Sequence, residues 1–238
     1  MHICDIASQV RLVSAKLQLL NLERMAHGQE KRKADLKLVI LGDSSVGKTT
    51  LIHRYMEGIF TNKTSTIGAS FILKQWGPYN VAIWDTAGEE KYAGLSSFYC
   101  RGASAAILAV DLTRHNSLNV LKDRHIPLLQ SAEEDCLCVV VGTKLDLVND
   151  TTRQISTDIG KALAKTQNKE RLDKLNVVPY FETSSKTGKN VENVFDFILN
   201  TCLPLDGDCE EKGGRTMSSG DCVDLNAPKH CHQKRKCC

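Results

Sequence analysis

Near-continuous apolar runs alternate with segments of helical periodicity through the middle of the chain. The runs at 36–41, 103–110 and 136–141 contain few polar positions, as expected of strands covered by helices on both faces. Within 190–202, apolar residues recur at i, i+3, i+4, i+7 and i+8, which predicts an amphipathic helix packed on such a sheet. This alternation predicts an α/β domain built on a parallel sheet.

The segment 71–85 departs from this alternation. It holds two strand-like runs separated by Gly77-Pro78-Tyr79-Asn80, so it predicts a hairpin with an antiparallel strand at the edge of the sheet. Farther along, helical periodicity at 155–163 is followed by the polar run 165–169. We interpret that polar run as a surface insertion.

The two ends of the chain differ in texture from its middle. Residues 1–35 form an extension that is loosely amphipathic and then charged, without a signal-peptide pattern. Because Met25 precedes the charged run, residues 1–24 are either an upstream extension of the working protein or a docking helix. Residues 203–238 turn polar and rich in Gly, Ser and Asp, which predicts a flexible tail. The predicted folded domain is 36–202.

Composition excludes several classes of protein. A formal net charge of +3 is too small to indicate nucleic-acid binding by itself. No stretch approaches the roughly 18 apolar residues that a membrane-spanning helix needs. The ten cysteines are scattered singly and clustered at the end, unlike the framework of a small secreted domain. We therefore expect a reducing, cytosolic compartment.

A phosphate-binding motif follows the first strand. Gly42-Asp43-Ser44-Ser45-Val46-Gly47-Lys48-Thr49 matches G-x-x-x-x-G-K-[ST] and leads into the helical run 50–57. In such a loop, backbone N–H groups and the helix N-terminus bind phosphates, the lysine bridges the outer phosphates and the hydroxyl binds magnesium. A tight turn without a ligand is the alternative, and the flanking strand and helix argue against it.

Three further stretches also follow predicted strands. In Trp84-Asp85-Thr86-Ala87-Gly88-Glu89-Glu90, the aspartate is placed to hold a magnesium water and the Gly88 N–H to reach a terminal phosphate, although such an aspartate is often only a turn cap. Asp146, in Thr143-Lys144-Leu145-Asp146, can accept two hydrogen bonds from the N1–H and N2–H₂ edge of guanine, whereas adenine offers no such donors. The third stretch, Ser184-Ser185-Lys186, follows the strand-like run 177–181 and carries little information alone. Together they predict a guanine nucleotide.

With these motifs in order, the chain from about 36 to 202 resembles the small GTPases of the Ras superfamily. The Rab family is the best match, because Thr66-Ile67-Gly68, Ile83-Trp84-Asp85 and Tyr99-Cys100-Arg101-Gly102-Ala103 are similar to its signatures. The variants Lys74-Gln75-Trp76 and Tyr99-Cys100-Arg101 are similar to the Rab-twenty subgroup. This resemblance implies a doubly wound, mostly parallel six-stranded sheet with helices on both faces.

The resemblance implies a set of site residues with assigned roles. Thr49, Thr66 and Asp85 would hold magnesium, Phe60 would lie against the base, and Lys144 and Lys186 would flank the guanine ring. Glu89, Thr66 and Lys48 would occupy the catalytic positions. The whole set predicted to bind GTP or GDP is Gly42, Asp43, Ser44, Ser45, Val46, Gly47, Lys48, Thr49, Thr50, Phe60, Thr66, Asp85, Gly88, Thr143, Lys144, Asp146, Ser184, Ser185 and Lys186.

Four positions depart from the family pattern. Thr143 stands where Rab proteins usually have Asn, which removes an amide that braces the loop, and Ser185 replaces the usual Ala. Ser70 replaces an acid common in the first switch, which changes the surface that partners contact. Glu89 replaces the Gln that orients the attacking water, so we expect slow intrinsic GTP hydrolysis. A general-base role for Glu89 is the alternative.

The last residues predict a lipid anchor. Rab chains typically end in two cysteines that carry geranylgeranyl groups, and Cys237-Cys238 follows the basic Lys234-Arg235-Lys236. Two lipids with nearby positive charge give stable binding to an anionic membrane. The alternatives are an unmodified tail, or a metal site formed by the terminal pair with His230, Cys231 and His232.

The sequence therefore predicts a magnesium-dependent GTP/GDP switch in vesicle traffic on the cytoplasmic face of intracellular membranes. Expected partners are effectors, an exchange factor, an activating protein and the prenylation escort machinery. We expect a monomer that does not bind nucleic acid. Two alternatives stay open, a P-loop ATPase or kinase and a GTP-locked interaction module that does not hydrolyse.

The anchor prediction can be tested in cells. Replacing both terminal cysteines, Cys237→Ser with Cys238→Ser, should move the protein from the membrane to the cytosolic fraction, because the basic residues alone bind weakly. Cys231→Ser is the matched control and should stay on membranes. Equal membrane recovery of the double variant and the unmodified chain would contradict the lipid anchor.

Overall fold

The computed structural model of the chain describes residues 34–61, 66, 68–88, 93–175 and 177–203. Six strands in these residues form one sheet, in the spatial order β2-β3-β1-β4-β5-β6. The strands are β1 Leu36–Leu41, β2 Ala69–Trp76, β3 Tyr79–Thr86, β4 Ala105–Asp111, β5 Leu137–Thr143 and β6 Tyr180–Glu182. All neighbouring pairs are parallel except β2 with β3, so the predicted mostly parallel sheet with one antiparallel edge strand is confirmed.

Helices cover both faces of this sheet. The α-helices are α1 Lys48–Glu57, α2 Ala93–Cys100, α3 His115–Val120, α4 Thr157–Gln167 and α5 Val191–Cys202. Buried residues of α1 and α5 pack on one face, and those of α2, α3 and α4 pack on the other. Because β4 and β5 are buried along their whole length, nearly every position in them is apolar.

Predicted and observed elements differ mainly at their ends. The β2–β3 turn is shorter than predicted, since Tyr79 and Asn80 already belong to β3 and pair with Trp76 and Gln75. Helix α5 begins after Asn190, which has a left-handed backbone, and buries the predicted apolar stripe. The predicted N-terminal extension, 1–35, and the predicted tail, 203–238, lie almost entirely outside the described residues.

The interpretation of 165–169 as a surface insertion is wrong in part. Lys165–Gln167 complete helix α4, and Asn168 is buried. The Asn168 side chain accepts a hydrogen bond from the Cys138 N–H (3.0 Å) and donates to the Cys138 carbonyl (2.7 Å). Strand β6 pairs only with 140–142 of β5, so Asn168 occupies the edge of β5 that β6 does not reach.

After α3 the helix changes its winding. Leu121–His125 form a π turn, and a 3-10 segment with Pro127 near its start follows as Ile126–Ser131. The His125 ring is buried, and neither ring nitrogen makes a hydrogen bond within the described structure. Burial lowers the pKa of His125 to about 4, so the ring is neutral at neutral pH.

Candidate functional site

The phosphate loop connects the carboxyl end of β1 to helix α1. Gly42 has a φ of 149°, and a Cβ there would lie 2.4 Å from the Ala109 carbonyl oxygen of β4, so only glycine fits. At the start of α1, Gly47 has a φ of 98°, and no side chain among the described residues caps the helix. The first N–H groups of α1 are therefore directed into the loop, where an anion can accept from them.

Lys48 lies inside this loop and is almost completely buried. Its Nζ donates to the carbonyl oxygens of Gly42 (2.7 Å) and Asp43 (2.8 Å). Burial lowers the pKa of the Lys48 ammonium to about 8, against the raising effect of the Asp85 and Asp43 charges. The loop thus positions a cation whose hydrogen bonds are to neutral carbonyls, and an incoming phosphate can replace them.

A cluster of three oxygen-bearing side chains lies next to the loop. The Thr49 hydroxyl donates to Asp85 Oδ2 at 2.6 Å and lies 2.7 Å from the Thr66 hydroxyl. The second oxygen of this carboxylate, Asp85 Oδ1, is buried and has no hydrogen-bond partner in the described structure. Burial raises the pKa of Asp85, while the hydrogen bond from Thr49 lowers it. These are the three residues that the family resemblance assigned to magnesium.

Gly88 brings the end of β3 against the phosphate loop. A Cβ at this position would lie 2.4 Å from both the Asp43 carbonyl carbon and the Ser44 nitrogen. No other residue fits so close to the Asp43–Ser44 peptide. Both segments predicted to contact the terminal phosphate therefore meet at one point.

The opposite end of the site is formed by the loops after β5 and β6. The Asp146 carboxylate accepts a hydrogen bond from the Ser184 hydroxyl at 2.6 Å, which fixes its orientation. Lys144 Nζ lies 2.7 Å from Asp111 Oδ2 at the end of β4. The Thr143 hydroxyl is 2.6 Å from the Val46 carbonyl, so this threonine still braces the phosphate loop in place of the usual amide.

These loops enclose a cleft of about 460 Å³. Ser184 and Asp85 lie behind its wall, where they hold Asp146 and Thr49, and Gly42 and Asp43 lie at the base of the loop. Two lining residues, Thr86 and Leu147, are absent from the predicted set. The predicted residues that line the cleft are Ser44, Ser45, Val46, Gly47, Lys48, Thr49, Thr50, Phe60, Thr66, Gly88, Thr143, Lys144, Asp146, Ser185 and Lys186.

Sequence reasoning missed the side chains that support the base-binding loops. Glu182 accepts two hydrogen bonds from the Arg153 guanidinium (2.8 and 2.9 Å) and one each from Thr157 and Tyr180 (2.8 Å). Its backbone carbonyl accepts from the Asn190 amide. Hydrogen bonds from Arg153 lower the pKa of Glu182 to about 2. An acid directly before Thr183-Ser184-Ser185 was the only signal in the sequence.

An aromatic surface lies on β2, β3 and α2. The Phe71 ring is 50 % exposed and contacts Trp84, with ring centroids 5.1 Å apart, and Trp84 contacts Tyr99 at 5.4 Å. Lys37 Nζ lies 5.1 Å from the centre of the Trp84 ring. Phe71 is therefore a surface residue, whereas Trp84 is partly buried against the core.

Other predicted residues lie outside the described part of the chain. Glu89, at the catalytic position, and the terminal Cys237 and Cys238 belong to this group. Within the described ranges, none of the helices has the length and apolar content needed to cross a bilayer.

The sequence model of the Ras family matches residues 37–203, which is most of the chain. Proteins of similar sequence include members named Rab-20 and Rab7. Ras-related protein Rab-20 of Homo sapiens is 39 % identical over 203 residues, covering 73 % of this chain and 87 % of the relative. Ras-related protein Rab7 of Drosophila melanogaster is 38 % identical over 189 residues, covering 76 % and 86 %.

The chain is a small GTPase of the Rab family. Rab-20 of Mus musculus is 37 % identical over 235 residues and spans 87 % of this chain and 99 % of the relative, which supports the Rab-twenty-like subgroup. Membership means that this Rab protein binds guanine nucleotides and hydrolyses GTP to GDP and phosphate. It also means a role in intracellular trafficking, together with regulatory and effector partners.

The Glu182 network predicts a specific pH dependence of stability. The ordinary pKa of 4.5 falls to about 2 in the folded Rab domain, so the ionised Glu182 contributes stability above pH 4.5 that is lost as the pH falls toward 2. We expect Glu182→Gln to lower the free energy of unfolding at pH 7 by roughly 2 kcal/mol, because hydrogen bonds to a charged group are lost.

Urea unfolding at several pH values checks this. The difference between wild type and Glu182→Gln should shrink as the pH falls below 4.5. The control is Glu192→Gln, which changes an exposed acid on α5 and should have little effect. A difference that is the same at pH 7 and at pH 3.5 would show that Glu182 does not act through its charge.

Proposed function

We propose that this Rab protein is a magnesium-dependent GTP/GDP switch anchored by lipid to intracellular membranes. The observation that supports it best is the oxygen cluster of Thr49, Thr66 and Asp85 beside the buried Lys48. Mg²⁺ prefers oxygen ligands, and the buried Asp85 Oδ1 has no other partner in the described residues. These residues fit the ion, which when bound would neutralise charge on the outer phosphates.

Different residues would contact different parts of the nucleotide. The N–H groups of the phosphate loop and the Lys48 ammonium bind the phosphates, and the Gly88 N–H donates to the terminal one. A terminal phosphate and its ion would hold Thr66, and with it the loop before β2, in the position that the structure describes beside Thr49. Loss of that phosphate removes the contacts of both Thr66 and Gly88, and this is the conformational signal.

Guanine recognition would rest on Asp146. Its carboxylate is oriented by Ser184 and accepts from the N1–H and N2–H₂ groups of the base, while Lys144, paired with Asp111, lies along the ring. At the corresponding positions adenine presents the N1 acceptor and a C2–H, which donate no hydrogen bond to the carboxylate and so disfavour an ATPase or a kinase. Family membership points the same way.

Membrane location and effector choice would reside at two other places. The lipid anchor is assigned to Cys237-Cys238 with the basic residues before it, which would hold the domain on the cytoplasmic face of vesicles, endosomes or Golgi membranes. Effectors would contact the aromatic surface formed by Phe71, Trp84 and Tyr99, since exposed aromatic side chains supply much of the binding energy of protein interfaces.

Removing the proposed metal tests the site directly. Chelation of magnesium should accelerate release of a fluorescent GDP from the wild type by about tenfold or more, because charge-assisted contacts to phosphate are lost. Thr49→Asn should bind nucleotide weakly in the presence of magnesium and respond much less to the chelator. The exposed Thr166→Asn on α4 is the control and should behave as wild type. Equal chelator sensitivity of wild type and Thr49→Asn would contradict the assignment of Thr49 to the metal.

The residue after Gly88 predicts the rate of hydrolysis. An ionised Glu89 cannot donate to the transition state, and at 4 Å it would repel a phosphate charge by about 4 kcal/mol at an effective dielectric of 20. We therefore expect Glu89→Gln to hydrolyse pre-loaded GTP faster than wild type in a single-turnover assay. Glu90→Gln is the matched control.

The outcome also separates the alternatives. A wild type that equals or exceeds Glu89→Gln would show that Glu89 is no handicap and would favour its general-base role. No turnover in either protein would favour the GTP-locked interaction module. An activating protein that brings its own Gln and Arg would still permit hydrolysis in the cell.

A further inference from the structure

Arg114 connects helix α3 to the outer side of the phosphate loop. One of its terminal nitrogens, Nη2, donates to the Ser44 carbonyl at 2.6 Å and lies 3.1 Å from the Asp43 carboxylate oxygen Oδ2. The other oxygen of this carboxylate, Oδ1, accepts from the Ser44 N–H at 2.7 Å. Arg114 therefore holds the Asp43–Ser44 segment both directly and through the Asp43 side chain.

The backbone of Arg114 is itself fixed to the end of β4. Its N–H donates to the Asp111 carbonyl at 3.0 Å, and its carbonyl accepts from the Ser117 hydroxyl at 2.7 Å. The preceding Thr113 donates to the Asp111 carboxylate through both its N–H and its hydroxyl. The backbone of Arg114 is thus held by the end of β4, and its guanidinium connects that strand end to the phosphate loop.

Groups of the nucleotide site contact the Asp43–Ser44 peptide of the same segment. Lys48 Nζ donates to the Asp43 carbonyl, and Gly88 packs so close that a Cβ would lie 2.4 Å from the Ser44 nitrogen. When Lys48 turns to the phosphates, its hydrogen bond to Asp43 is lost. Arg114 does not line the cleft, so its contacts with the loop do not have to break when a nucleotide binds.

We propose that Arg114 is a positioning residue for the triphosphate state, holding the Asp43–Ser44 peptide against Gly88 so that the Gly88 N–H meets the terminal phosphate. The proposal rests on the magnesium-nucleotide site described above. GDP has no terminal phosphate at Gly88, so its binding depends on the remaining loop N–H groups. Arg114 therefore contributes more to GTP binding than to GDP binding.

Dissociation rates of two nucleotides test the proposal. Fluorescent GDP and a fluorescent, non-hydrolysable GTP analogue are loaded with magnesium onto the full chain, and their release is followed. Arg114→Gln should release the GTP analogue about tenfold faster than wild type, because hydrogen bonds to a charged group are lost. Its release of GDP should be less than about threefold faster. Arg114→Lys should retain most of the wild-type behaviour toward the analogue.

Two controls separate positioning from general damage. Arg101→Gln alters an exposed arginine after α2 and should leave both rates unchanged. Asp43→Asn keeps an oxygen for the Ser44 N–H but removes the charge that faces Arg114, so it should reproduce the selective effect even if Arg114→Gln fails to fold. The double variant Asp43→Asn with Arg114→Gln should be much less than additive, because the two side chains act together.

A selective loss of the GTP analogue, shared by Arg114→Gln and Asp43→Asn, supports the proposal. Equal acceleration of both nucleotides, or unchanged release of both, overturns it while leaving the magnesium site intact. A wild type that binds neither nucleotide would instead contradict the proposed function.

Discussion

Gly42 lies at the point where β1 leaves the sheet and passes the end of β4. With its Cβ position 2.4 Å from the Ala109 carbonyl, the chain can turn there only because the residue has no side chain. This turn places the loop across the carboxyl ends of the central strands. Since β3, β4 and β5 run parallel to β1, their ends lie at the same edge, where Asp85, Thr143 and the segment after β4 meet the loop.

Each neighbouring strand end then holds the loop through a different chemical contact. Asp85 receives the Thr49 hydroxyl, Thr143 binds the Val46 carbonyl, and the segment after β4 supplies Arg114. The loop carries many N–H groups directed inward and would be unstable without partners for its outward-facing carbonyls. Its shape is therefore a property of the whole sheet edge, although the motif occupies only eight residues in the sequence.

The sequence was sufficient for the parts of the molecule that follow periodicity or a fixed motif. Strand β1, helix α5 and the antiparallel hairpin were predictable, because their apolar spacing is unambiguous and their packing is dictated by burial. The cleft residues were predictable because the motifs come in a known order at strand ends. Residues that act through partners distant in sequence were not, as with Arg114 and Ser44, which are separated by 70 positions.

In two further places the structure has features that the pattern of apolar and polar residues does not predict. The π turn at Leu121–His125 ends a short helix beside Pro127, and the spacing of apolar residues does not predict this change from α to π geometry. Nothing in the sequence around Glu182 predicts its partners, yet this carboxylate accepts hydrogen bonds from Arg153 and Thr157 in one segment and from Tyr180 in another. Such networks depend on which surfaces the fold brings together, and a single sequence carries no record of that.

Asn168 shows how a polar side chain can complete a sheet. Its amide presents one acceptor and one donor to the Cys138 backbone at the spacing of a neighbouring strand, where β6 is too short to pair. An open strand edge attracts the edges of other molecules, and a side chain that mimics a strand closes it without adding one. The Asn168 amide thus covers the part of the β5 edge that β6 leaves open, and it leaves fewer free backbone groups there for another molecule to pair with.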